Sequence, residues 1–341
     1  MNLMSSLLKR TPGTRNALFE SLQQHRGVAL AHQNHVARWH TDVRPPVHFV
    51  LLHGLYNSGG VFWNEFTKAI YDLPTTGLTP KHPIHLYAID LRDHGRSRHF
   101  ESGFELLPAC ADVIQFVQSA TMKGQRVFLI GHGLGGYIAS LLGLAYPSCI
   151  EGVASVNACI RKLYPHVHPA TLLSLDTASS SSRERAKLRS SINPKKSTTF
   201  FHNCQSFKDI DQKLLSAFPD ELERASFATT NIRYSHEKRE WYWASNIAGI
   251  ANFDCQRNKT AIDRILNDDS IRNEKLMYLN VRDSAGDFDS PELIRSLFPK
   301  AKVLKWDDFG GEAAENSMLL PRPRKLAITV LEYFHMLEKT E

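Results

Sequence analysis

From Val47 onward, short apolar runs alternate with stretches in which apolar positions recur every three or four residues. The runs Val47–Leu52, Ile84–Ile89, Arg126–Ile130, Gly152–Val156, Lys275–Val281 and Lys302–Trp306 are bounded by turn residues and predict short, buried strands. Between them, Val61–Tyr71, Phe104–Ser119, Tyr137–Tyr146, Pro291–Phe298 and Arg324–Leu337 have helical spacing. This alternation predicts an α/β fold: a mostly parallel sheet flanked by helices, because parallel neighbours need a crossover that a helix supplies. Two stretches break the pattern. Leu73–Pro83 is rich in turn residues and predicts a long loop reaching toward a surface or partner. The stretch from Arg161 to Phe253 has no strand pattern and predicts an inserted helical lobe, with a flexible Ser-rich loop over Thr177–Ser197. The expected organisation is an N-terminal segment over residues 1–46, core over 47–160, a helical cap over 161–253 and more core over 254–341.

Composition narrows the class. With 341 residues, 42% of them hydrophobic, the chain can bury a sizeable core. Its 41 Lys and Arg against 35 Asp and Glu leave a mild net charge of +6, spread along the chain. That charge fits an ordinary basic organellar protein and points only weakly to RNA, anionic lipid or acidic protein partners. In the first 42 residues Lys9, Arg10, Arg15, Arg26 and Arg38 face only Glu20 and Asp42, and Leu7, Leu8, Leu18, Leu22 and Ala29 make a sparse apolar face. Such a segment reads as a mitochondrial targeting sequence or as a solvated arm that binds a neighbour. The expected location is therefore the mitochondrial matrix or the matrix face of the inner membrane. The five cysteines are dispersed and never spaced as CxxC, so neither a disulfide framework nor a zinc site is expected. No apolar run approaches the roughly 18–20 residues of a membrane-spanning helix, and no metal or cofactor is expected.

Three motifs carry candidate chemistry: LLHG (Leu51–Gly54), IDLRDHGRS (Ile89–Ser97) and GHGLGG (Gly131–Gly136). In that order and spacing they resemble the alpha/beta-hydrolase fold. The family's first motif supplies oxyanion-hole amides and its third is the nucleophile elbow G-x-S-x-G. A finer resemblance, to mitochondrial esterases of the abhydrolase-domain-eleven type and their bacterial YbfF-type relatives, rests on two segments. One is NIRYSHEKREWYWASNI, where Asn231, Trp243 and Asn246 match and Ala244 replaces the usual arginine; the other is YLNVRDSAGDFDSPELIRSLFP.

The resemblance places the nucleophile at Gly133, the acid at Asn157 and the histidine at Gly311, and it leaves the amides of Leu55 and Leu134 as a vestigial oxyanion hole, read as empty before a site for a carboxylate or water. None of the three can play its part in a hydroxyl–imidazole–carboxylate relay. Glycine at the elbow also relieves backbone strain of roughly 1–3 kcal/mol. The expectation is a catalytically inactive protein, not an enzyme, serving as a structural or accessory subunit of a mitochondrial assembly such as a respiratory-chain complex, ATP synthase or mitoribosome. The alternatives are an active ester hydrolase or lyase with a relocated nucleophile, and a small-ligand receptor.

Other residues read more plainly. His53, His94 and His132 could line a pocket but sit inside turn motifs, where packing and turn hydrogen bonds suffice. Asp283, Asp287 and Asp289 read as a solvated loop before a metal or acid site, and Trp241, Tyr242 and Trp243 as a seat for the cap before an interaction patch. Cys159 has no base near it in sequence.

Overall fold

The computed structural model describes residues 17–39, 44–100, 102–119, 124–160, 200–201, 203–215, 217–251, 253, 272–282, 288–309, 320 and 322–339. The strands are β1 (His32–Ala37), β2 (Val47–Leu52), β3 (Leu78–Pro80), β4 (Ile84–Ile89), β5 (Arg126–His132), β6 (Gly152–Val156), β7 (Ile232–Ser235), β8 (Glu240–Trp243), β9 (Met277–Arg282), β10 (Lys302–Lys305) and β11 (Leu337–Lys339). Seven of them form one sheet in the order β1-β4-β2-β5-β6-β9-β10, in which only β1 runs antiparallel to its neighbour. All six predicted strands are present. β2 is buried at every position, as a central strand covered on both faces must be.

Each face has its own core. Val50, Leu52, Leu129 and Val153 face α4 (Leu106–Val117) and α5 (Leu134–Ala145). Phe49, Leu51, Phe128 and Ile130 face α3 (Asn64–Tyr71) and α10 (Pro323–Tyr333), where Phe128 and Phe334 meet at 4.7 Å. The short α2 (Gly59–Phe62) leads into α3, and α9 (Pro291–Leu297) lies between β9 and β10 in the chain.

Three expectations differ from the structure. The N-terminal segment, read as a targeting sequence or free arm to residue 46, is part of the core from residue 17. Leu18 and Leu22 of α1 (Ala17–Gln23) are fully buried, the Val28 amide donates to Asp112 at 2.7 Å, and β1 pairs with β4. Leu18 and Leu22 of that apolar face dock into the protein's own core, and β1 (HQNHVA) showed no strand pattern because an edge strand leaves most side chains in water. The Leu73–Pro83 stretch does not reach outward: Leu73–Thr76 is a 3₁₀ turn, and β3 pairs with β11. The predicted helical lobe contains α6 (Phe207–Leu214), α7 (Glu221–Asn231) and α8 (Ile247–Ala251), but also an antiparallel hairpin, β7–β8. Ile232 and Tyr234 of β7 share one face with Trp243 and Trp241, a period-two pattern hidden among charged residues. The predicted loop over Thr177–Ser197 lies outside the described residues.

A buried ion pair ties the N-terminal segment to the core. Arg92 donates to both oxygens of Asp112, at 2.7 and 2.8 Å, and Asp112 is fully buried. Asp112→Ala leaves the guanidinium without its counter-charge and removes the acceptor of the Val28 amide. We expect it to lower unfolding stability by about 3–5 kcal/mol, read as a drop in the urea midpoint. A shift below 1 kcal/mol would mean that water reaches Arg92.

Candidate active site

The turn from β5 to α5 is built by glycines that let backbones touch. A Cβ on Gly131 would run into the Gly135 carbonyl, and one on Gly135 into the Leu52 carbonyl of β2. Between them Gly133 adopts φ 51° and ψ −114°, its amide donating to the Val156 carbonyl at 2.9 Å and its carbonyl accepting from Tyr137 at 3.0 Å. Leu134 then opens α5, so its amide lies in the first turn, where helix N–H groups have no intrahelical acceptor. Sequence reasoning placed Gly133 and Leu134 in the sharp turn between a strand ending at Ile130 and a helix beginning at Tyr137; the structure carries the strand to His132 and starts the helix at Leu134.

The second predicted oxyanion residue, half-buried Leu55, follows β2. The loop beyond it is held by histidines. His53 donates from Nδ1 to the Gly54 carbonyl at 2.7 Å and accepts the Leu91 amide on Nε2 at 3.0 Å. His94 donates from Nδ1 to the Arg92 carbonyl at 2.8 Å and accepts the Tyr56 amide on Nε2 at 3.3 Å. Both rings are fully buried and 4.9 Å apart, and burial pushes His53 down to about 4. Burial, then the neighbouring His53 ring, pushes His94 down to about 3. Each ring spends both nitrogens on backbone groups as a neutral tautomer, so these are the turn histidines the sequence predicted. His132 is also buried, its ring 4.7 Å from that of Phe62.

Because the folded pKa values lie below the ordinary 6.5, the stability these two histidines carry is complete above pH 6.5 and is lost as pH falls toward 4 and 3. Between pH 7.5 and 4.5 each is expected to remove roughly 2–3 kcal/mol. Urea titrations at the two pH values check this, and His94→Gln should flatten the dependence. Equal midpoints for the unsubstituted protein would contradict it.

At the acid position, Asn157 has φ 46°, its amide donates to the Val281 carbonyl at 2.8 Å, and its Oδ1 accepts from the Trp306 indole at 3.1 Å. The third position of the expected triad, Gly311, and also Asp283 and Asp287, lie outside the described residues. Asp289 was expected in a solvated loop; it is buried instead, accepting the Ile160 amide while its carbonyl accepts from Arg282. It ties the ends of β6 and β9 together. Cys159 is buried beside this junction. Among the described residues no group of His, Cys, Asp and Glu could hold a metal ion.

The cap is seated on the two core turns by Asn231, Ser245 and Asn246. Asn246 Nδ2 donates to Asp93 at 2.9 Å, the Gly95 amide donates to Ser245 Oγ at 3.0 Å, and Asn231 Nδ2 donates to the Tyr56 carbonyl at 2.7 Å. Trp243 packs against Phe200, Phe201 and Phe227, so it serves the cap as expected, whereas Tyr242 is exposed. Sequence reasoning missed Tyr56, the residue that Asn231 holds; a tyrosine gives no sign of its backbone angles.

Comparison with known proteins decides the family. A family model described as "Alpha/beta hydrolase family" matches residues 49–299. The chain belongs to the alpha/beta hydrolase family. Solved alpha/beta-hydrolase-like structures agree on the fold. A marine microorganism esterase superposes with a TM-score of 0.59 at 20% identity, over 90% of this chain and 100% of the other. An esterase of M. tuberculosis gives 0.52 at 18% identity, over 95% and 100%. Among curated relatives, ethanol acetyltransferase 1 of Eremothecium cymbalariae is 27% identical over 147 residues, which are 42% of this chain and 37% of that protein. Ethanol acetyltransferase 1 of Hanseniaspora uvarum is 31% identical over 115 residues, 34% of this chain and 30% of that protein. The matches thus span about a third of these relatives' own length. The expectation that the chain is not an enzyme is corrected by these comparisons: relatives and structural neighbours of this alpha/beta hydrolase carry the names of acetyltransferases and esterases, not of structural subunits.

Proposed function

We propose that the protein is an acyl-group enzyme that cleaves or transfers an ester-type acyl group, and that the attacking oxygen comes from water or an acceptor alcohol instead of residue 133. The observation that carries this reading is the elbow. Gly133 keeps a positive φ and leaves the Leu134 amide at the head of α5, whose next residue, Gly135, lies against the carbonyls of Leu52 and His53, two residues before Leu55. Two backbone amides suit the oxygen of an acyl carbonyl, whose negative charge grows as the carbon is attacked. The alcohol or water oxygen bonds to the carbonyl carbon, the bond to the leaving group breaks, and the proton of the attacking oxygen ends on the leaving group. Gly133 offers no side chain for a covalent acyl intermediate, and His53 and His94 have both ring nitrogens committed to backbone groups.

The names of the curated relatives support an acetyl-sized acyl group and a small alcohol as the first pair to try. The test is incubation of the purified full chain with an activated acetyl ester, with and without ethanol, with the products separated by gas chromatography. Ethyl acetate or acetate formed above the protein-free rate supports the reading. Product formation at the protein-free rate with acetyl, butyryl and longer acyl donors alike would overturn it.

A further inference from the structure

Tyr56 is a non-glycine residue held at φ 59°, one position after the Leu55 amide. Left-handed angles on a bulky residue are strained and persist only where the surroundings enforce them. Here they are enforced from two sides. The core holds the amide end, through Nε2 of His94 at 3.3 Å. The cap holds the rest: Asn231, the last residue of α7, donates to the Tyr56 carbonyl at 2.7 Å, and the ring of Phe227 lies 6.2 Å from the Tyr56 ring, which is itself buried. Asn231 is in turn fixed, for its Nδ2 also meets the Phe227 carbonyl at 3.1 Å and its carbonyl accepts the Ala244 amide at 2.7 Å. The Asn231 and Phe227 restraints on Tyr56 therefore come from a lobe about 175 residues away in sequence.

We infer that Asn231 and Tyr56 are positioning residues through which seating of the cap sets the direction of the Leu55 amide. This deepens the acyl-enzyme reading and rests on it for its catalytic consequence. When the cap is seated, the peptide after Leu55 is locked and the amide is preorganised toward the acyl oxygen. When the Asn231 contact is lost, Tyr56 relaxes to ordinary angles and the amide turns away. Carbonyl stabilisation falls while the walls that bind the acyl chain stay in place, so turnover suffers more than substrate affinity.

The experiment compares the full chain with Asn231→Ala and, as a control, Asn246→Ala, which loosens the cap from Asp93 without touching Tyr56. Hydrogen exchange followed by mass spectrometry is read on peptides covering residues 53–58, and kcat and KM are read with the activated acetyl ester. Asn231→Ala is expected to speed exchange across residues 54–57 by about tenfold or more, corresponding to about 1.4 kcal/mol, with β5 and α5 unchanged. It should lower kcat by a similar factor with KM within about twofold, and Asn246→Ala should leave residues 54–57 as they are. Unchanged exchange at 54–57 in Asn231→Ala, or an equal rise across the whole core, would overturn the inference. So would faster exchange with unchanged kcat. If the unsubstituted protein turns over no ester, the acyl-enzyme reading fails, while the exchange arm still decides whether the cap holds this loop.

Discussion

Replacing Leu134 by proline is expected to lower kcat for acyl transfer about 10²–10³-fold while the fold survives, the loss found when one oxyanion donor is removed. Proline removes the N–H itself, and this position tolerates it for two reasons. Leu134 is the first residue of α5, where the amide has no intrahelical acceptor and the fixed proline φ suits the helix. The residue before a proline is pushed away from helical angles, and Gly133, at φ 51° and ψ −114°, sits in the mirror image of the extended region that position favours. Leu134 is also nearly buried, so its side chain contributes to stability in its own right. Leu134→Ala is therefore the control: it gives up the side chain but keeps the amide. The prediction is a large kcat difference between the two variants at similar unfolding midpoints. Equal turnover in both would mean that the Leu134 amide touches no reacting oxygen.

The second large effect is structural. In Gly135→Ala the added methyl meets the carbonyls of Leu52 and His53, backbone atoms of a central strand and of the loop leaving it. Neither is the end of a flexible side chain, so the contact is relieved only by moving α5 off the sheet. Helix and strand share the core of Leu52, Leu129, Ile138 and Leu142, and separating them opens gaps along that seam. We expect a loss of about 3 kcal/mol or more of unfolding stability, at the upper end for overpacked cores. Activity should fall with it, because Gly133 moves with the helix. A urea midpoint within about 1 kcal/mol of the parent protein would show that α5 does not approach β2 this closely.

Much of the fold was legible because the central strands are apolar on both faces. Runs such as VHFVLL and RVFLI have few other readings, and the glycines of GHGLGG mark a turn where backbones must touch. The edges were not legible. β1 is polar because its side chains stand in water, β3 and β11 are three residues each, and β7–β8 shows alternation only once its register is known. The fold of the N-terminal segment from residue 17 was not legible for a physical reason: an amphipathic stretch looks the same whether its apolar face meets a receptor or its own core, and Leu18 and Leu22 meet the core.

The site divides in the same way. Gly133, Leu134, Leu55 and Asn157 lie at the carboxyl ends of β2, β5 and β6 or just beyond. Two contacts that shape the site had no sequence signal: the Trp306 indole donates to Asn157 Oδ1, and Asn231 donates to the Tyr56 carbonyl, each pair joined only by folding. The absence of a serine was read as the absence of chemistry. The names of the relatives and neighbours, acetyltransferases and esterases, overturn that step, and an elbow without a serine still presents backbone amides, which every residue except proline carries and which composition never reveals.

The most direct test of acyl transfer without a side-chain nucleophile at residue 133 is intact-protein mass spectrometry during turnover of an activated acetyl ester by the full chain. The predicted result is product forming above the protein-free rate, with the protein mass unchanged throughout and with no labelling by a fluorophosphonate. A stable or transient acetyl adduct on any side chain, or no product above the protein-free rate, would contradict it.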